Sequence, residues 1–364
     1  MEGNSNKNQK YLTVSQFGTI IFGTVVGVGI LSLPNGVVKT AHQDGWISAL
    51  IGGIYPLYVV IIASYIGKKF PNDNILILSK KYFGKILGTS FNLIFATYFI
   101  FVAALIASYY SNLMRSYMMG FLTSFKFLGI LFICIIYAAS RGLKVIGRIS
   151  EICFYLTIAM MLTSTNALKF SHITNIYPVF GSGFSSILKG AFQSTFAYSG
   201  AEIILLIYPF LKEKKRMLVA SLISVTIVIV IYGWCVFITT YFLGPDIVNK
   251  SFWSFLVVTE SLSLSVINNY RYVFMYVWSI IAFKTITINS YASVFILKDF
   301  AYKVQKKKIY FLMFPILLYL AFNYGNEISR QNISNIFLPW YTLFNLLYMT
   351  AIAVFILFKK GGKA

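Results

Sequence analysis

Apolar residues fall into ten blocks separated by short polar stretches, at about 13–37, 44–66, 86–110, 117–139, 149–167, 187–209, 217–243, 272–297, 309–323 and 335–358. Most approach or exceed the roughly 20 apolar residues that let a helix cross the hydrocarbon of a bilayer. The pattern predicts an all-α polytopic membrane protein with ten transmembrane helices. Two blocks are weaker: Lys126 interrupts the fourth, and the ninth is short and contains Pro315. The polar stretches are too short for a separate soluble domain, so residues 1–364 read as a single transmembrane domain. Met1–Lys10 is polar and lacks a signal-peptide pattern, so the first block reads as a span and not as a cleaved leader. Composition agrees, with 58% hydrophobic and 11% charged residues, against about 25% charged in soluble domains.

Charge then tests the alternation. With the N-terminus inside, 22 of the 31 lysines and arginines fall on the inner side and eight on the outer, leaving Lys284 within a span. That bias obeys the positive-inside rule and puts both termini in the cytoplasm. It accounts for the net charge of +21 without a nucleic-acid partner, and the bilayer itself, including anionic lipid, is what the basic loops face. The longest outer connection, about 244–270, contains a half-apolar stretch, Phe252–Val266. It reads either as an amphipathic helix lying at the interface or as a loop covering the bundle.

Candidate chemistry is sparse. Cys134, Cys153 and Cys235 lie in apolar blocks, and His42 and His172 in loops, with no metal-ligand or disulfide spacing. No Gly-rich nucleotide loop and no nucleophile–base arrangement is present, so neither an enzyme, a cofactor nor a metal is expected.

The informative feature is a conflict inside the first span. Gly23-Thr24-Val25-Val26-Gly27-Val28-Gly29-Ile30-Leu31-Ser32-Leu33-Pro34 places three glycines and a proline where a continuous helix is expected. Each glycine costs about 1 kcal/mol against alanine and an interior proline about 3 kcal/mol. Two readings follow: small residues that allow close helix packing, or a break facing a cavity, since freed backbone groups are tolerated at membrane depth only there. The sixth span repeats the conflict in Thr195-Phe196-Ala197-Tyr198-Ser199-Gly200-Ala201-Glu202, with Pro209 downstream. Spans one and six run in opposite directions and head two five-span halves, about 13–167 and 187–358, so the pattern predicts a 5+5 inverted repeat. Interrupted segments at matching positions of two halves point to a midplane binding site. Tyr98, Tyr198, Lys284 and the break near Val25–Gly27 all fall near mid-span, and Glu202 and Lys284 are ionisable residues at a depth where charge is costly and functional by default.

Gly27-Val28-Gly29-Ile30, with Leu33-Pro34 after it, resembles the Gly-x-Gly signature of amino acid–polyamine–organocation transporters with a LeuT-like fold. The Phe196–Glu202 run resembles their sixth-span signature, an aromatic pair before Gly-x-Glu. With its length, ten blocks, Gly-Val-Gly-Ile-Leu-Ser-Leu-Pro and Ala282-Phe283-Lys284 in span eight, the whole chain resembles the spore germination permeases, the B subunits of endospore nutrient-germinant receptors.

The resemblance implies a ligand carboxylate at the N–H groups of Val28, Gly29 and Ile30, beside Gly27. It implies a ligand ammonium at carbonyls of Thr24, Val25 and Val26 and, across the second break, of Ala197, Tyr198 and Ser199, ahead of Gly200. Phe196 and Tyr198 would wall or gate the site, Ser199 would set ligand size, and Tyr98 lies at the same level. Glu202 would brace the second break. Lys284 shares a helical face with Thr287 and Tyr291. Sodium-using relatives hold the ion between the first break and span eight, where the Lys284 ammonium could replace it; otherwise Lys284 is structural glue to Glu202 or to backbone carbonyls. The resemblance further implies a membrane A subunit and a lipoprotein C subunit as partners, residence in the spore inner membrane, and a small germinant. An apolar wall without a second acid favours a small neutral amino acid such as L-alanine. Three functions fit: a germinant sensor, an amino-acid symporter or exchanger, or a scaffold for the A subunit.

Overall fold

The computed structural model describes residues 11–260 and 270–358. Among these the regular elements are helical, apart from one bridge pair, Leu12 with Leu211. The first span is divided. Helix α1 (Val14–Val25) starts under a capping box in which Thr13 Oγ1 accepts the Gln16 N–H at 3.1 Å and Gln16 Oε1 accepts the Thr13 N–H at 3.3 Å. Val26 and Gly27 are extended, Val28–Leu31 forms a tight 3-10 turn, and α2 (Leu33–Ala41) resumes with Pro34 in its first turn, where the missing N–H costs nothing. The chain continues through α3 (Gly45–Gly52), α4 (Ile54–Lys69), α5 (Ile75–Phe83), α6 (Lys85–Tyr117), α7 (Ser124–Ser140), α8 (Leu143–Thr163) and α9 (Phe184–Thr195). After the second break come α10 (Ile204–Ile207), α11 (Met217–Leu243), α12 (Pro245–Lys250), α13 (Ser254–Glu260), α14 (Tyr270–Phe300), α15 (Lys306–Asn323) and α16 (Glu327–Phe358).

Among the described residues, six helical stretches are long and apolar enough to cross a membrane, from Leu33–Lys69 to Glu327–Phe358. The shorter apolar helices Val14–Val25, Ser124–Ser140 and Ala201–Phe210 fall where the sequence expects spans one, four and six. Spans one and six are short as helices because each is broken. α5 departs from expectation: its lysines read as loop, yet Ile75, Leu76 and Leu78 are buried and Lys80 pairs with Asp299 at 2.6 Å. The helix lies with an apolar face on the bundle and its basic residues outward.

α14 is the centre. In its most apolar stretch 78% of residues are buried, and it packs against α6, α7, α8 and α1. Lys284, Thr285, Thr287, Asn289 and Ser290 are all buried on it, so this helix carries polar groups inward. At one end of the bundle Leu12 N–H donates to Phe210 O at 2.8 Å and Lys212 N–H to Leu12 O at 3.0 Å. The start of the first span is thus tied to the end of the sixth. At the other end, the 244–260 connection folds down. Asn35 Nδ2 donates to the carbonyls of Val248 and Asn249 at 2.9 and 3.1 Å, and Phe255, Leu256 and Val258 are fully buried. Of the two readings of Phe252–Val266, an interfacial helix or a cover over the bundle, the described part takes the second, because its apolar residues find protein partners; 261–269 lie outside the described residues.

Candidate functional site

The two breaks face each other. After α9 a single tight turn, Phe196–Tyr198, leads to Ser199 in extended backbone and to Gly200 at φ 116°. A side chain is strained at that φ, and a Cβ there would lie 2.7 Å from the Thr24 carbonyl oxygen. Gly200 is therefore required twice, for its own conformation and for the approach of the second break to the end of α1.

Between the breaks is a cavity of about 590 Å³. Of the residues expected at the site, Thr24, Val25, Gly27, Val28, Gly29, Phe196, Ala197 and Ser199 line it. It extends past Tyr109 and Trp253 to Lys39, Gln193 and Gln331, toward the end of the bundle opposite the Leu12–Leu211 tie. A side chain on Gly29 would meet nothing within 4 Å, so this glycine borders open space.

Other expected residues stand behind that wall. Ile30 is fully buried, and its carbonyl faces Cys235 Sγ at 3.6 Å. Tyr198 is buried with its hydroxyl donating to Ala49 O at 2.7 Å and its ring on that of Tyr232. It faces away from the cavity, so the aromatic wall is Phe196, packed edge-on against Phe192. Tyr98 and Gly200 serve Glu202: the carboxylate, fully buried, accepts from the Tyr98 hydroxyl at 2.9 Å, the Gly200 N–H at 2.7 Å, Asn345 Nδ2 at 3.4 Å and the Tyr55 hydroxyl. Two of these donors come from α4 and α6 and one from α16, so a single carboxylate ties three helices to the second break.

Lys284 reaches the first break. Its Nζ donates to Val26 O at 3.0 Å, and its aliphatic stem lies against Gly23, where a Cβ would be 2.9 Å from Lys284 Cδ. It goes to a backbone carbonyl and not to Glu202. The neighbouring Thr285 hydroxyl lies 3.0 Å from Gly23 O and 2.9 Å from Val26 O. Thr287, the hydroxyl expected beside Lys284, instead bonds back to Phe283 O at 2.7 Å. The i+3 spacing identified the shared helical face, but the long lysine stem lets Nζ reach round to the face of Thr285.

Tyr232 on α11 is the main residue that sequence reasoning missed. Its hydroxyl lies 3.0 Å from Val25 O and 3.2 Å from Ala197 O, one carbonyl from each break. Tyr232, Cys235 and Thr239 recur at i, i+3 and i+7, and Ser221 and Ser224 lie one turn apart nearer its start; these polar and thiol groups in a largely apolar span signal an inward face. Tyr55 and Asn345 sit in spans with no such motif.

Residues 11–330 match the Spore_permease family, described as spore germination protein. Spore germination protein YndE of Bacillus subtilis (strain 168) is 27% identical over 223 residues, 61% of each chain. Spore germination protein GerQB of Bacillus cereus is 24% identical over 237 residues, 65% of this chain and 66% of that one. Spore germination protein KB of Bacillus subtilis (strain 168) is 24% identical over 251 residues, 66% of this chain and 65% of its own length. The matched region thus spans 61% to 66% of the length of these relatives. Among solved structures, a Na+-coupled sialic acid symporter in its substrate-bound outward-open state superposes with a TM-score of 0.69 over 96% of this chain and 80% of that one, at 13% identity. At that identity the likeness establishes a shared fold.

Proposed function

The chain belongs to the spore germination protein family, and we propose that it is the ligand-sensing membrane subunit of a spore nutrient receptor. The observation that carries this reading is the cavity held between the two helix breaks, open toward one end of the bundle and tied shut at the other. A small germinant, an amino acid such as L-alanine in size, binds there with its carboxylate toward Val28, Gly29 and Ile30. Binding biases the bundle between two states, and the bias equals the difference in affinity for them. An A subunit and a C lipoprotein read the change. The chain crosses the spore inner membrane ten times as one domain, in two inverted five-span halves, with both termini on the core side. Lys284 and Thr285 stand in for a bound cation at the end of α1, so no sodium is needed.

The test is genetic. Spores lacking this protein should lose their response to one class of nutrient, whereas an unchanged response across a nutrient panel rejects the reading. The second reading, an active secondary transporter, is favoured by the symporter fold. Uptake into proteoliposomes separates the two: a sensor gives none, and gradient-driven accumulation assigns transport.

A further inference from the structure

The connection between α8 and α9 carries apolar side chains that the protein leaves uncovered. Phe170, Ile173, Tyr177, Phe180 and Phe184 are all exposed. Phe180 is exposed at 66% and sits at φ 63°, a conformation strained for a residue with a bulky side chain. It is held there by Asp44, a wholly buried carboxylate that stands directly before α3. Asp44 Oδ1 accepts the Phe180 N–H at 2.8 Å. Its Oδ2 accepts the Ser182 N–H at 3.0 Å and the Ser182 hydroxyl at 2.7 Å. In the same corner Gln43 Nε2 donates to Pro178 O at 3.0 Å. The Phe180 ring is not packed on the hydrophobic core, so what the strained turn secures is its outward direction.

This connection lies where membrane-crossing helices end. Asn175 Nδ2 donates to Tyr241 O at 2.9 Å, in the last turn of α11, and Asp44 precedes α3. Both helices belong to stretches long and apolar enough to cross a bilayer. On either side the patch runs on into exposed apolar residues of the flanking helices, Leu162 on α8 and Leu188 on α9. Lys169 and Lys189 are its charged residues, with no Asp or Glu between 164 and 195. We propose that the 170–184 connection is a membrane anchor, which seats Phe180 and its neighbours in the bilayer interface at the end toward which the cavity extends. Large apolar patches mark partner or membrane surfaces, and continuity with the faces of α8 and α9 selects the membrane. The rings enter the boundary of the acyl chains, and the lysine ammonium groups meet lipid phosphate. α9 follows at once and ends at the second break. The anchor therefore holds the far end of the half-helix that lines the cavity with Gln193.

The experiment is spin-label accessibility on the purified full chain in phosphatidylcholine nanodiscs. Cys134 is exposed, whereas Cys153 and Cys235 are buried, so Cys134→Ser supplies the background. Phe180→Cys carries the nitroxide, and Tyr177→Cys carries it in a second variant, so that the result does not hang on one substitution. At each position the label is expected to collide with oxygen, which concentrates in lipid, about twice as often as with a water-soluble nickel chelate, or more. A nickel collision rate that matches or exceeds that of oxygen overturns the proposal and leaves the patch to water or to a protein partner. A label that meets neither reagent overturns it as well, because the rings would then be covered by the chain itself.

Discussion

Glycines 29 and 200 lie on facing breaks and answer to different constraints. Gly29 borders open space, so Gly29→Leu should leave the fold intact and fill the cavity. The expected outcome is a melting temperature close to wild type with germinant response lost; a normal response would favour the scaffold role. Gly200 has a left-handed φ and a carbonyl 2.7 Å from where Cβ would stand. Gly200→Ala should destabilise by about 1–3 kcal/mol, read as a lower thermal midpoint; unchanged stability would mean that the second break can relax. Lys284 makes a third case. Its ammonium serves Val26 O beside Thr285, and Lys284→Ala would expose that carbonyl cluster to a small cation. We predict that the variant, unlike wild type, melts higher in sodium chloride than in choline chloride. Equal melting in both salts would remove the cation-replacement role. Much of this chemistry was legible beforehand, because glycines and a lysine inside apolar blocks conflict with their surroundings. Thr285 was not, since from sequence any hydroxyl near Lys284 competes equally until the lysine stem has a direction.

At the scale of elements, close contacts between helices rest on small residues at crossing points. α3 and α9 meet where a Cβ on Gly52 would fall 1.9 Å from Ser194 Oγ and one on Gly190 2.7 Å from Ser48 Oγ. The Ser48 hydroxyl donates across this crossing to Ile187 O at 2.8 Å. Gly52→Val should force the pair apart, at a cost of about 1–3 kcal/mol for overpacking, and it should also move the second break, because α9 leads directly into Phe196. Reduced yield of folded protein together with weakened ligand response is expected; loss of neither would show the crossing to be slack. The two breaks could be located from glycines and prolines. The burial of α13 against the bundle could not, because a half-apolar segment suits a membrane interface as well as a protein surface. α5 was obscured by its own lysines, which sit on the outward face of an amphipathic helix and look like a loop when read in line.

For the molecule as a whole, the distribution of charge is the largest-scale regularity. The proposed topology, ten spans with both ends inside, predicts that green fluorescent protein fused after Ala364 is fluorescent and that alkaline phosphatase at the same place is inactive. The opposite result would put the C-terminus outside and reject that topology. The fold shared with a symporter was foreshadowed by the two interrupted segments, whereas the helices that meet at Glu202 were not, since no sequence pattern links Tyr55, Tyr98 and Asn345. The tie between Leu12 and Leu211 has one more consequence. Two backbone hydrogen bonds close that end of the bundle, a net restraint of roughly 1–3 kcal/mol, and Leu12 stands directly before Thr13, the N-cap of α1. The tie is in line with α1, so a displacement of that helix along its axis strains the two bonds directly. The tie and the cavity are mechanically in series, because the helix that begins beside the one ends at the break that lines the other.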